Sequence, residues 1–253
     1  MKRIFFAFLG LVAFCPAFAQ LAHLQSLPVV SNNIKIGKMT VALPAGEWRV
    51  LNTREGRVPV TGGTSGAETE TKFLIRLNEK NQFVASVWLY APKASTGLSS
   101  WNDSVCQRAD MLWVKQTDGN FNFPACLFIN HGLPFWTTVP ANDFDKLIFD
   151  WYRNNKVELP KSALAVGDRK YFSGDFINMA YAVNPELLGF TVDAGNVWAN
   201  SQWHAGLIND DPKKDQYVDS LKKWAESIEP VYRASLMKGM PGVESISNWP
   251  ENK

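Results

Sequence analysis

Four side chains suited to chemistry recur at two-residue spacing late in the chain: Trp198, Asn200, Gln202 and His204. If residues 197–205 form a strand, period-two alternation sends these four to one face. Val197, Ala199, Ser201, Trp203 and Ala205 then go to the other. A tryptophan beside two amides and an imidazole suits a sugar ring, because the indole stacks on the ring and the amides bond its hydroxyls. The competing reading is that tryptophans pack the core and a polar strand face is simply solvated.

His131 also falls in a predicted strand, whereas His23 lies in the N-terminal lead-in. His131 and His204 would suit general-base work if the fold brings them together, with Asp143 or Asp210 orienting the ring and Ser201 as nucleophile. Nothing in the spacing demands this. There is no His-Glu-x-x-His and no histidine pair at metal-ligand spacing, so no metal site and no cofactor is expected. Ser220-Leu221-Lys222-Lys223 matches the Ser-x-x-Lys nucleophile pattern, but its companion Ser-Asp-Asn and Lys-Thr-Gly elements are missing. Gly62, Gly63 and Gly66 lack the spacing and the following helix of a phosphate loop, and Ala67 breaks a Gly-x-Ser-x-Gly elbow. Residues 54–70 read as a mobile surface loop.

The start of the chain reads as an export signal. Lys2 and Arg3 precede the apolar run 4–14, and Ala17-Phe18-Ala19 is a small-x-small cleavage site. Residues 1–19 are therefore assigned to a signal peptide. Cys15 follows the bulky Phe14, which argues against lipid attachment. Removing Lys2 and Arg3 takes the formal charge from +2 to zero. A near-neutral chain gives no electrostatic reason for a nucleic-acid partner, and no later stretch is apolar enough to span a membrane. Cys106 and Cys126 remain as an even pair in an oxidising compartment, most simply a disulfide, contributing about 3 kcal/mol. Their wide spacing does not fit a redox-active Cys-x-x-Cys. A periplasmic or secreted location follows, with the compact signal leaning bacterial.

Several elements must position these groups. Residues 34–43 and 48–51 read as strands about a turn at Pro44-Ala45-Gly46. Residues 72–78 and 83–91 read as a hairpin, and the Val84, Ser86, Trp88 and Tyr90 face of the second strand needs a cover, either a helix or a ligand. Residues 111–116 and 126–130 flank the tight-turn signal Asp118-Gly119, and the cysteine bond ties the approach to that hairpin. Residues 171–183 form another strand region, with a bend at Gly174-Asp175. Residues 176–185 share length and outline with residues 83–92, a likeness read as chance over duplication.

Two helices are predicted. The first covers residues 142–155, with Asn142 as N-cap and a stripe of Phe144, Leu147, Ile148, Trp151 and Tyr152. Asp143 and Asp145 complement its dipole and need no acid–base role. The second begins at Asp210-Asp211-Pro212, with a stripe of Tyr217, Leu221, Trp224, Ala225 and Ile228. Pro230 should end or kink it.

Residues 20–253 are expected to form one exported α+β domain, with 20–33 as lead-in and 239–253 as a loose tail. Its twisted, mostly antiparallel sheet packs against two or three amphipathic helices on one face. Two function classes fit. The first is a non-catalytic envelope or secreted protein binding a glycan, a small polar ligand or an envelope protein. The alternative is a hydrolase of envelope glycan or peptide material with His204 or His131 as base.

Overall fold

The computed structural model describes residues 26–58, 66–95, 105–117, 125–132, 142–172, 175–191, 198–208, 211–238 and 246–250. The residues read as a signal peptide (1–19), His23, the expected turn at Asp118-Gly119 and Asp210 lie outside these residues. The strands are β1 (Val29–Ile36), β2 (Met39–Val58), β3 (Ala67–Leu77), β4 (Phe83–Pro92), β5 (Trp113–Gln116), β6 (Cys126–Gly132), β7 (Ala163–Phe172) and β8 (Asp175–Val183). Helix α1 (Asp143–Asn154) lies between β6 and β7, and α2 (Pro212–Lys238) follows β8. The eight strands form one sheet in the order β1-β2-β3-β4-β8-β7-β6-β5, with every neighbouring pair antiparallel. Two meanders, β1 to β4 and β5 to β8, meet at the central β4–β8 pair.

The sheet dominates, which corrects the expected α+β domain with two or three helices on one face. Among the described residues there are two α-helices, and they pack on opposite faces. On one face Leu74, Val87, Ile129 and Tyr181 meet Leu221 and Trp224 of α2 in the main core. On the other, Phe73, Ile75 and Phe83 meet Phe144, Ile148 and Tyr152 of α1. A sheet this wide offers more apolar area than one face of helices can cover, so both faces recruit a partner.

Helix α1 starts as its sequence predicts, with the Asn142 side chain accepting from the Asp145 amide at 3.0 Å. Its buried stripe is rotated, however: Phe149 is buried and Leu147 is 60% exposed. Pro230 does not end α2. Tyr232 and Leu236, on the following turns, are buried. Burying two such side chains contributes about 1.5–3 kcal/mol each, enough to offset the roughly 3 kcal/mol cost of an interior proline.

Three further expectations are corrected. The first turn lies at Gly37-Lys38, not at Pro44–Gly46. Gly37 takes φ +53°, and a Cβ there would meet the Pro92 carbonyl oxygen at 2.1 Å. Residues 54–58 and 67–70 are not loop but a paired extension of β2 and β3, running to Val58↔Ala67. The tail is not wholly loose, since the Ile246 amide bonds the Leu43 carbonyl at 3.1 Å and Trp249 packs edge-on against Trp48.

The likeness of residues 83–92 and 176–185 does not reflect a structural repeat. Superposing them sets Trp88 on Tyr181, yet Trp88 packs on the α1 face and Tyr181 in the core beneath α2.

Candidate functional site

Among the described residues, the strand expected at 197–205 is absent. Trp198–Asn200 is a 3-10 turn, followed by further turns to Ile208. Period-two alternation therefore does not apply, and the four predicted ligand residues share no strand face. Trp198 and His204 do meet, ring centroids 4.6 Å apart and edge-on. Asn200 is exposed, and Gln202 accepts from Lys214 Nζ at 2.7 Å.

His131 and His204 converge, with ring centroids 5.7 Å apart. His131 stacks on Trp198 at 4.7 Å and 13°. The two are also clasped through the backbone. His131 Nε2 lies 3.1 Å from the Trp198 carbonyl, and Trp198 Nε1 donates to the His131 carbonyl at 3.1 Å. A carbonyl only accepts, so Nε2 carries the ring proton. Burial holds His131 below the ordinary histidine range, against the opposing pull of the Trp198 carbonyl; His204 and Arg108 lower it further. Arg108 lies 5.9 Å over the Trp198 ring and pairs with Asp110 at 2.7 Å. Hydrogen bonding from Arg108 lowers the Asp110 carboxyl.

Of the expected partners of the histidines, Asp143 is placed elsewhere and Asp210 lies outside the described residues. Asp143 begins α1, across the sheet from the core face where His131 alternates with Leu127 and Ile129. The Ser201 hydroxyl accepts from the Trp203 amide at 3.2 Å. The Ser220 hydroxyl donates to its own helix, to the Tyr217 carbonyl at 2.6 Å. No cluster of three or more His, Cys, Asp or Glu side chains able to hold a metal occurs among the described residues.

A concave site lies on the α1 face. A cavity of about 680 Å³ is lined by residues of β2, β3, β4, β7, β8 and α1. Strand register explains its floor. Arg54↔Thr71, Thr71↔Tyr90, Tyr90↔Asn178 and Asn178↔Arg169 are successive cross-strand pairs. Directly opposed residues share a face, so these five side chains form one polar row across five strands. The row spans four inter-strand steps, about 19 Å. An apolar row runs beside it, through Phe73↔Trp88 and Trp88↔Ala180. Trp88 and Tyr90 stack on one another at 5.9 Å and 29°. Phe144 and Ile148 of α1 supply the wall, and Asn142 and Asp145 close its end.

Among the described lining residues the charges are Arg54, Arg57, Arg169 and Asp145. Arg57 sits opposite Glu68 and pairs with it at 3.1 Å, while Asp145 is tied to the Asn142 side chain at 2.8 Å. Burial lowers Arg169 to about 10, with Tyr90 opposing. A half-buried guanidinium so shifted is still charged at neutral pH.

The sequence signal for this cavity was the need for a cover over Trp88 and Tyr90. The helix and the cavity share that face. The two arginines were missed because residues 54–58 resembled loop and β7 breaks the apolar alternation with Gly167, Asp168, Arg169 and Lys170.

Cys106 and Cys126 are joined, with Cα atoms 5.7 Å apart. The bond links the short 3-10 turn Val105–Gln107 to the start of β6, as expected of a tie on the approach to the hairpin. No helix among the described residues is long and apolar enough to cross a membrane. No protein-family model, no curated protein and no solved structure matches this chain, so its function is argued from geometry alone.

Proposed function

We propose that this protein is a non-catalytic exported binding protein that holds a small polar ligand in the cavity on the α1 face of the sheet. The observation that carries this reading is the polar row from Arg54 to Arg169 lying beside the Trp88–Tyr90 stack within one cavity. Concave sites with an aromatic surface and a few convergent polar groups are the usual form of small-ligand sites. Export to a periplasm or to the outside of the cell rests on the signal-like N-terminus and accords with the disulfide. Glycans and small polar metabolites are the candidate ligands, and an envelope protein is the candidate partner.

A second reading has one observation behind it: the meeting of His131 and His204. It makes the chain a hydrolase of envelope glycan or peptide material. His204 is then the better base, because the Nε2 atom of His131 donates to the Trp198 carbonyl and its basic atom, Nδ1, is buried.

Native mass spectrometry of the protein taken from its exporting compartment separates the two. Binding predicts an added mass on the wild type that is absent from Thr71→Trp, which fills the cavity. An added mass retained by that variant, or hydrolytic turnover abolished by His204→Ala, would overturn the cavity reading.

A further inference from the structure

We infer that the ligand of this cavity is an uncharged polyhydroxylated ring, a neutral sugar; this rests on the binding reading above. The first support is a buried polar group with nothing to bond. Asn178 is 5% exposed and lines the cavity, and its side-chain amide has no hydrogen-bond partner among the described residues. Leaving a buried amide unpaired is costly, so a ligand that completes it is favoured. The Thr69 and Thr71 hydroxyls line the same cavity from β3 and are likewise unpaired among the described residues; Thr69 is 2% exposed.

These three groups decide the class. An amide offers two donors and an acceptor, and a hydroxyl both donates and accepts. A carboxylate only accepts and an ammonium only donates, so either leaves part of the set unmet. Adjacent ring hydroxyls donate and accept at once and can meet all of it. The second support is Trp88, half-buried beside these groups, whose indole face suits the C–H face of a sugar ring. Register sets Thr71 and Asn178 on either side of Tyr90, one strand period of about 7 Å from Trp88. One bound ring can thus touch the indole and the polar groups together. The third support is that the charges nearest them are engaged already. Arg57 pairs with Glu68, Asp145 is held by the Asn142 cap, and Arg169 has a contact of its own. Arg54 is exposed at the end of the row.

The test uses the full chain and a set of neutral sugars: methyl glucoside, methyl galactoside, N-acetylglucosamine, maltose and cellobiose. Four controls each lack one feature. Sorbitol has the hydroxyls without the ring, cyclohexylmethanol has the ring without its hydroxyls, and glucuronate and glucosamine add a charge. Probes of this size bind at about millimolar strength, so each is titrated by chemical-shift NMR. The inference predicts that at least one neutral sugar moves the Trp88 indole and Asn178 side-chain amide resonances. It should bind about 10-fold tighter than sorbitol or cyclohexylmethanol, with an affinity that added salt and Arg54→Gln leave unchanged. Asn178→Ala should weaken it about 10-fold. Thr71→Val removes a hydroxyl at nearly constant shape and keeps the test valid if Asn178→Ala fails to fold. If sorbitol, cyclohexylmethanol, glucuronate or glucosamine moves these resonances and binds as tightly as the best neutral sugar, the sugar inference is wrong and the cavity still binds. If no probe moves a cavity resonance, the cavity reading fails and the inference falls with it.

Discussion

Cys126 and Arg169 face each other across the β6–β7 pair, so the disulfide is anchored at the end of the polar row that floors the cavity. Reduction should therefore loosen the half of the sheet that carries Arg169. Opening the bond, or replacing both cysteines with alanine, should cost about 3 kcal/mol of stability. Urea denaturation with and without reductant measures this, and an unchanged midpoint would contradict it.

Asp168 is a buried liability. It points from β7 toward α2 with its carboxylate 3.7 Å from Lys170 Nζ, and neither of its oxygens accepts a hydrogen bond among the described residues. Lys170 bonds Glu229. Burial raises the Asp168 carboxyl to about 7; Lys170 opposes this and Glu229 adds to it. A raised acid binds its proton more tightly when folded, so its contribution is full below the ordinary carboxylate range and is lost as pH climbs toward 7. Asp168→Asn should flatten that decline and leave the variant more stable at neutral pH, by on the order of 3 kcal/mol. Urea midpoints from about pH 4 to about pH 8 measure it; superimposable profiles for the two proteins would refute it.

His131 acts in the opposite sense. Its folded form is held neutral by burial, so its contribution is present above the ordinary histidine range and lost as pH falls below it. The clasp to Trp198 supports the position. Trp198→Phe deletes the indole N–H that reaches the His131 carbonyl and should cost about 1 kcal/mol. Thermal denaturation reports the loss, and a variant as stable as the wild type would show that the clasp is idle.

Gly167 is required by a ring. A Cβ at this position would lie 2.0 Å from Cζ of Phe128, its cross-strand partner. Gly167→Ala must displace that ring and should destabilise the protein by about 1–3 kcal/mol. Pairing it with Phe128→Leu should recover part of the loss, and a double-mutant cycle with no coupling would contradict the contact.

Local periodicity carried much of the fold. The α1 cap at Asn142, the α2 stripe from Tyr217 to Ile228, the β3–β4 hairpin and the Cys106–Cys126 bond all follow from patterns within about 20 residues. What failed depends on distant partners. β7 carries Asp168, Arg169 and Lys170 through the middle of a sheet, and only α2 and the polar row make those charges tolerable there. Residues 197–205 alternate like a strand, but residues 198–205 fold as successive turns. Their Trp198 is turned onto His131 instead. The site was half readable. Trp88 and Tyr90 signalled a covered face, but cross-strand register alone aligns Arg54 with Arg169, which lie far apart in sequence.

The central claim is that the α1-face cavity is the ligand site. Chemical-shift mapping of the protein against a pooled set of small polar ring compounds tests it most directly. The account predicts perturbations that cluster on Trp88, Tyr90, Thr71 and Asn178 and vanish in Thr71→Trp. Perturbations confined to Trp198, His131 and His204, or unaltered by Thr71→Trp, would contradict it.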